Sequence, residues 1–593
     1  MMVITYTIAA QAISLFCLCT ALPVRKLEDK EFWFANAREA LRETLAYRNN
    51  ENVARNTVLF MGDGMGMSTV TAARILKGQK AGQPGEEAVL EFEKFPNVGL
   101  IKTYNVEIQV GESASAATAY LCGAKTNKDG ICMDATSDDR CDSSANLISI
   151  LQLAQEAGKS VGFVTTDTVA AASVSPLYSH APSDSYKYDG AVPTYSACKD
   201  IASQLIDNRP GQNIQVVMGG GREYFLPVAE SGHASNETEA GLRTDGRNLE
   251  LEWLRQKQGQ GVRHKLVQNT AQLLSVDTAE VDYVLGLFAS HKMPYHMDRD
   301  EGPKGSPSLP DMVDVAIKIL KKNPKGFFLF VENEKIDDGH HMGAAVRAVS
   351  EVLPLEVAVQ QTISMTDAED TLLVVTADHS HNMIMSGYPP RGNPIFGLGG
   401  VSNRDLKPYT TLLYGLSPGR SISNGTRINI TGVDTTDKNY LQQAVAPRSS
   451  GVHAGEDVAT YATGAMSHLF VGVREQSYLM HAMAYAACLG EYEPACAGRR
   501  SAALSSRPAK ITEMQPPIKL IDERRDVLEL DSMETTEQEP PGVAEMTTQP
   551  AETEAETEAN HQGAAATASA TRWLGSALLI TLLSLTVANA SLL

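Results

Sequence analysis

"GFFLFVENEKIDDGHH", residues 326–341, opens on an unbroken apolar run and ends in a crowd of acids and histidines. A short apolar run after a glycine reads as a strand buried on both faces, the habit of a sheet covered by helices on either side. Four further stretches repeat the pattern: "NTVLFMGDGMG" (56–66), "KSVGFVTTD" (159–167), "IQVVMGGG" (214–221) and "TLLVVTADHSH" (371–381). Helix-like stretches separate them, among them "SSANLISILQLAQEAG" (143–158) and "DMVDVAIKILKK" (311–322). Strands alternating with helices predict an α/β fold. In such sheets ligands bind beyond the carboxyl ends of the strands, where the Asp, Glu and His residues fall.

The chain has 593 residues and a net charge of −20. Residues 526–571 hold eleven Asp and Glu and no Lys or Arg, which leaves −9 on the rest. The body is only mildly acidic and has no basic block, so nucleic acid is not an expected partner. Residues 1–21 read as a signal peptide. The apolar tail 573–593 follows small residues and a short polar spacer, with no Lys or Arg beyond it. This predicts a GPI-anchor signal, attachment between Asn560 and Ser569, and a place on the extracellular face of the plasma membrane. The acidic Thr/Glu/Pro-rich segment 526–571 reads as a stalk. The segment between His381 and His453 is less regular and reads as an inserted surface subdomain. The sequons at Asn236, Asn424 and Asn429 suit an exported glycoprotein. Six cysteines remain beyond the signal: Cys122, Cys132, Cys141, Cys198, Cys488 and Cys496. They permit fifteen pairings, among which spacing does not choose.

Candidate metal ligands stand at the strand ends. Asp337 and His341 are four apart, close enough to share an ion on one helical turn. Asp378 and His379 are adjacent, Asp63 lies among glycines, Glu332 ends the opening run, and His453 sits in "GVHAGED". Mixed imidazole and carboxylate ligands suit Zn²⁺, and an oxygen set suits Mg²⁺. "GESASAATAYLCG" (111–123) adds Ser113, which reads either as a nucleophile or as a helix cap.

In order along the chain, "MGDGMG", "ATAYLCG", "GGGREYFLP", "GFFLFVE", "IDDGHH", "VTADHSH", "FGL", "HAGEDV" and "YAAC" resemble the animal alkaline phosphatases over residues 35–497. The resemblance implies a three-layer α/β/α sandwich with a large, mostly parallel sheet, a crown-like insert at 391–452, and a homodimer. It implies two Zn²⁺ and one Mg²⁺. Asp337, His341 and His453 would hold the first zinc. Asp63, Asp378, His379 and the Ser113 oxygen would hold the second, and Asp63, Ser173 and Glu332 the magnesium. It further implies hydrolysis of small phosphate monoesters at alkaline pH through phosphoserine at Ser113, with N–H groups of the helix opening there aimed at the phosphate. Cys141–Cys198 and Cys488–Cys496 are the implied disulfides. Cys122 would be free in the family, but Cys132 is extra, and a Cys122–Cys132 pair stays open.

The chain also departs from that pattern. Glu112 replaces an aspartate and Ser115 a glycine. Asp184, in "SPLYSHAPSDSYKYDGAVP" (175–193), falls where the family carries an arginine that clamps phosphate oxygens. Ala171 and Asp338 replace histidines, and Ala289 replaces a glutamate of a calcium site. A bidentate guanidinium is thereby lost from the phosphate site. Lys187 and Lys335, near Asp184 and Asp337 in sequence, are the candidate replacements. Asp184 supports an alternative reading, a catalytically impaired GPI-anchored pseudophosphatase acting in surface binding or adhesion. The related phosphodiesterases and sulfatases fit less well, because Ser173 and Glu332 supply a magnesium site they lack.

Overall fold

In the computed structural model, residues 28–138, 140–228, 241–419 and 421–496 are described. The expected signal peptide, stalk and apolar tail, and Asn236, lie outside them. The apolar runs become the centre of a ten-stranded sheet. Its strands are β1 (Asn56–Gly62), β2 (Asn97–Lys102), β3 (Ser160–Thr168), β4 (Val216–Gly220), β5 (His264–Val267), β6 (Tyr283–Leu287), β7 (Phe327–Asn333), β8 (Thr371–Thr376), β9 (Val458–Gly464) and β10 (Gly472–Glu475). They run in the order β10-β2-β9-β8-β1-β7-β3-β4-β6-β5. Every residue of β1, β3, β7 and β8 is buried, as a sheet covered on both faces requires. β9 alone runs against its neighbours β2 and β8.

Register decides what meets at the carboxyl edge. β1 pairs in parallel with β7 and β8, so Met61 lies opposite both Glu332 and Thr376. Thr165 of β3 lies opposite Glu332 on the other side of β7. Asp63, Glu332 and Asp378 therefore emerge side by side.

Among the helices that frame this edge and the faces of the sheet are α1 (Met67–Lys80), α2 (Ser113–Cys122), α3 (Leu309–Leu320), α4 (Lys335–Met342), α5 (Ala345–Met365) and α6 (Tyr478–Ala487). α3 starts at a Ser308–Asp311 capping box with proline in its first turn, then buries Met312, Val313, Ala316, Ile317 and Leu320. The helix expected over 143–158 is α-helical only over Ile150–Glu156. Ser149 caps it, accepting from Gln152 N at 3.1 Å. The residues before it are drawn elsewhere, since Asn146 bridges Met133 and Leu147 N donates to Cys132 O at 2.8 Å. β2, β5, β6, β9 and β10 lie outside the runs read from sequence; β2, for one, alternates buried with exposed residues.

Between Ser380 and Ala454 the chain leaves the main sheet. Met383–Met385, Leu412–Ser417 and Ala444–Pro447 form a three-stranded sheet, and two small hairpins accompany it. The expected insert at 391–452 falls within this span. It returns through an antiparallel pairing of His453 with His381. Asn424 and Asn429 are exposed on it. Disulfides join Cys141 to Cys198, Cys488 to Cys496, and Cys122 to Cys132. Among the described residues no helix is long and apolar enough to cross a membrane.

Candidate active site

α4 converts the four-residue spacing of Asp337 and His341 into contact: His341 Nε2 lies 3.0 Å from Asp337 Oδ2. His453 Nε2 is 3.2 Å from His341 Nε2 and 3.6 Å from Asp337 Oδ1. The Nδ1 atoms are already engaged. His341 Nδ1 donates to Gly451 O at 2.7 Å, and His453 Nδ1 donates to Gly111 O at 3.0 Å. When both rings are neutral, two Nε2 lone pairs face each other beside a carboxylate, a donor set that suits a cation.

Asp63, Asp378 and His379 form the adjoining group. His379 Nε2 stands 3.1 Å from Asp378 Oδ2, 3.6 Å from Asp63 Oδ1 and 3.2 Å from Ser113 Oγ. Asp378 Oδ1 accepts from Gly64 N at 3.0 Å and from His379 N at 2.8 Å. Asp63 Oδ1 and Asp378 Oδ2 are buried without hydrogen-bond partners. Glu332 is fully buried, and its Oε2 accepts from Thr165 Oγ1 at 2.5 Å. Ser173 is buried near Glu332, whose Oε1 has no partner. The rings of His379 and His453 stack at 3.5 Å and join the two histidine groups. Buried polar atoms without partners are costly in a native fold, and here they cluster where cations fit.

The family model described as alkaline phosphatase matches residues 54–489. The chain belongs to the alkaline phosphatase family. It is 45% identical over 515 residues to the tissue-nonspecific isozyme of Gallus gallus, covering 85% of this chain and 97% of that protein. It is 47% identical over 474 residues to the alkaline phosphatase of Gadus morhua, covering 78% and 98%. The human tissue-nonspecific isozyme is 46% identical over 496 residues, covering 82% and 94%. Among solved structures, the Thermus thermophilus alkaline phosphatase superposes with a TM-score of 0.52 at 22% identity, covering 74% of this chain and 92% of that one. The enzyme from the Antarctic bacterium TAB5 gives 0.50 at 20%, covering 74% and 100%. At such identities these structures speak for the fold. The family's activity makes the chain a phosphoric monoester hydrolase with metal-binding side chains.

The charges in this phosphatase's site are strongly coupled. Burial, then Asp378 and Asp337, push Asp63 well above the usual carboxylate range. Burial raises Glu332 to about 8 and Asp378 to about 6. Burial acts the same way on Asp337, yet His381 and His341 hold it well below the usual range. Burial would lower His341, but its bond to Asp337 raises it to about 9. Burial and neighbouring His453 keep His379 well below its ordinary value, which leaves a neutral, ligating imidazole.

Sequence reading missed His381, whose Nε2 hydrogen-bonds Asp337 Oδ1, and Thr165 on Glu332. The two-residue step from His379 to His381 in an extended stretch was the available signal.

The departures from the family pattern also have definite places. Glu112, rather than Ser113, caps α2: its carboxylate accepts from Ala114 N at 2.7 Å and Ser115 N at 3.0 Å. Those two N–H groups are spent on Glu112, contrary to the expectation that they turn to phosphate. Lys335 Nζ lies 2.6 Å from Asp338 and 3.7 Å from Glu334, in a cluster with Lys292, so its charge is already paired. Ala171 is buried. Asp184 is half-buried; burial raises its carboxyl, Lys187 opposes the rise, and Asp129 and Glu112 add to it.

Proposed function

We propose that the protein hydrolyses small phosphate monoesters at alkaline pH through a phosphoserine at Ser113, with phosphate binding weakened at Asp184. The observation that carries this reading is Ser113 Oγ lying 3.2 Å from His379 Nε2, beside the unpartnered Asp63 Oδ1, Asp378 Oδ2 and Glu332 Oε1. Asp337, His341 and His453 would hold one zinc, Asp63, Asp378 and His379 the other, and Asp63, Ser173 and Glu332 a magnesium. The unpartnered oxygens and facing Nε2 atoms fit those ions. Bound divalent ions supply Lewis acidity that lowers a hydroxyl pKa and offsets charge on phosphoryl and leaving oxygens.

The chain's own groups do the rest. Ser113 Oγ attacks phosphorus, the bond to the alcohol oxygen breaks, and water later cleaves the phosphoserine. Glu112 fixes the first turn of α2 and with it the direction of Ser113. Asp184 brings a carboxylate where a dianion must bind, which raises KM. The sequence signals at both ends support a GPI-anchored location on the extracellular face of the plasma membrane, and the helix Lys30–Ala46, none of whose residues is buried, supports a homodimer.

Asp184 also favours the second reading, an impaired surface pseudophosphatase. Turnover of p-nitrophenyl phosphate at alkaline pH with zinc and magnesium, beside Ser113→Ala, separates the two. A clear excess over the variant is expected. Equal rates would establish the pseudophosphatase.

A further inference from the structure

The loop between α2 and the segment carrying Asp184 is fastened on both sides. Towards α2, Asp129 N donates to Glu112 Oε1 at 3.0 Å, beside the nucleophile. One turn further along, Thr118 Oγ1 donates to Gly130 O at 2.8 Å and accepts from Cys132 N at 2.8 Å. At the far end of the helix the Cys122–Cys132 disulfide closes the seam. Towards the other side, Ile131 and Ala181 exchange backbone hydrogen bonds at 2.8 and 3.1 Å, and Asp184 N donates to Asp129 O at 2.9 Å. Asp129 and Cys132 hold φ of 64° and 46°, a left-handed backbone that non-glycine residues adopt only when their surroundings fix it.

We propose that the loop Thr126–Cys132, stapled to the nucleophile helix by Cys122–Cys132 and Thr118, is the positioning element of the phosphate pocket. Asp129 is its working residue. Its N–H holds Glu112, and so the turn bearing Ser113, while its C=O holds Asp184. One peptide segment thus sets the distance between the nucleophile and the segment facing the phosphate. Glu112 spends its carboxylate on the N–H groups of Ala114, Ser115 and Asp129, so the spacing falls to the loop. The staple acts at a distance: it fixes Cys132, three residues beyond Asp129, against the rigid end of α2. This inference rests on Ser113 being the nucleophile.

The test compares Cys122→Ser/Cys132→Ser with Cys488→Ser/Cys496→Ser in the full-length, metal-loaded protein. KM and kcat on p-nitrophenyl phosphate, calorimetric Kd for inorganic phosphate, zinc and magnesium content, and Tm are read for each. The first pair is expected to raise KM and phosphate Kd at least about fivefold with metal content unchanged, since small misplacements in a reacting site are costly. The second pair, which closes the end of α6 and not the loop, should lower Tm only. Thr118→Val leaves the disulfide intact and should reproduce the rise in Kd, while Thr118→Ser should restore it; this pair decides if the cysteine variant does not fold. Phosphate Kd and KM unchanged within about twofold in Thr118→Val, or raised alike in both cysteine pairs, would overturn the proposal. Failure of the Ser113 reading looks different: the unsubstituted protein would turn over no faster than Ser113→Ala.

Discussion

Asp184 shows how much one side chain decides at a site otherwise furnished for catalysis. Its carboxyl faces Asp129 and Glu112 on the acidic side and Lys187 and Lys128 on the basic side. On the proposed reading, a phosphate dianion arriving there meets repulsion where a planar, bidentate cation would serve it best. Asp184→Arg should restore that contact, and a hydrogen bond to a charged group contributes about 1.5–3 kcal/mol. KM and the inhibition constant of inorganic phosphate should both fall roughly tenfold or more. Steady-state kinetics with phosphate as inhibitor checks this, and unchanged constants would show that Asp184 does not face the substrate. A second residue bears on the alkaline range. The Lys257 ammonium is fully buried over the Tyr283 ring, 4.1 Å from its centroid, and burial brings its pKa down to about 8. Unfolded lysine titrates near ~10.4, so between these values the unfolded chain carries a proton the folded one lacks. Stability therefore rises with pH across that window. Thermal melts from pH 7.5 to 10.5 should show Lys257→Met with a higher Tm at the lower end and a flatter slope than the unsubstituted chain. At this scale the sequence was informative about which side chains come together, as Asp63, His379 and Ser113 do. It singled out Glu112 but not its contact with Asp129 N, which lies on a loop whose path the sequence does not reveal.

At the level of elements, the apolar runs were legible because both faces of β1, β3, β7 and β8 are covered, which leaves no polar alternation to confuse them. β9 and β10 were not, since their partners β2 and β8 lie far away in sequence and their side chains are small or polar. The helix over 143–158 shows the opposite error: periodicity continued past the point where Asn146 and Leu147 take backbone partners near Cys132. The strand ends carry a consequence for stability. Parallel register forces Glu332 of β7 and the residues just past β1 and β8 into one buried space, where Asp63, Asp378 and Glu332 each keep an oxygen without a hydrogen bond. Ions that bind only the folded state stabilise it by mass action. Stripping divalent metal with a chelator should lower Tm by several degrees, roughly 2–4 °C per kcal/mol for a large domain. Adding zinc and magnesium back should restore it, with elemental analysis following the loss and return. A Tm indifferent to the chelator in a sample shown to lose its metal would argue against these carboxylates as ligands.

On the scale of the whole molecule, the helix Lys30–Ala46 is the part that the described chain leaves uncovered. None of its 17 residues is buried, yet Trp33 is 52% and Leu45 65% exposed, with Phe34 and Leu41 exposed beside them. An isolated helix of this length is marginal in water, and a stripe of large apolar side chains facing solvent is unfavourable. Its two ends are tied down, the start by Glu28 on Arg391 and the C-cap Tyr47 by accepting from Asn97 Nδ2 at 2.8 Å. The far edge of the sheet repeats the pattern, since Val98 and Leu100 of β2 and Val473 of β10 are exposed. A second copy of the chain can cover both surfaces through a self-complementary contact, the commonest arrangement for soluble oligomers. Light scattering on the folded body should give a dimer for the unsubstituted chain. Trp33→Glu/Phe34→Glu should shift it toward monomer, because the charges must then be buried or the contact given up. All eight proposed metal ligands and Ser113 come from one chain, so the monomeric variant is expected to retain its metal. A dimer undisturbed by both glutamates would place the contact elsewhere. Loss of metal together with the dimer would mean that the partner supports the strand ends after all.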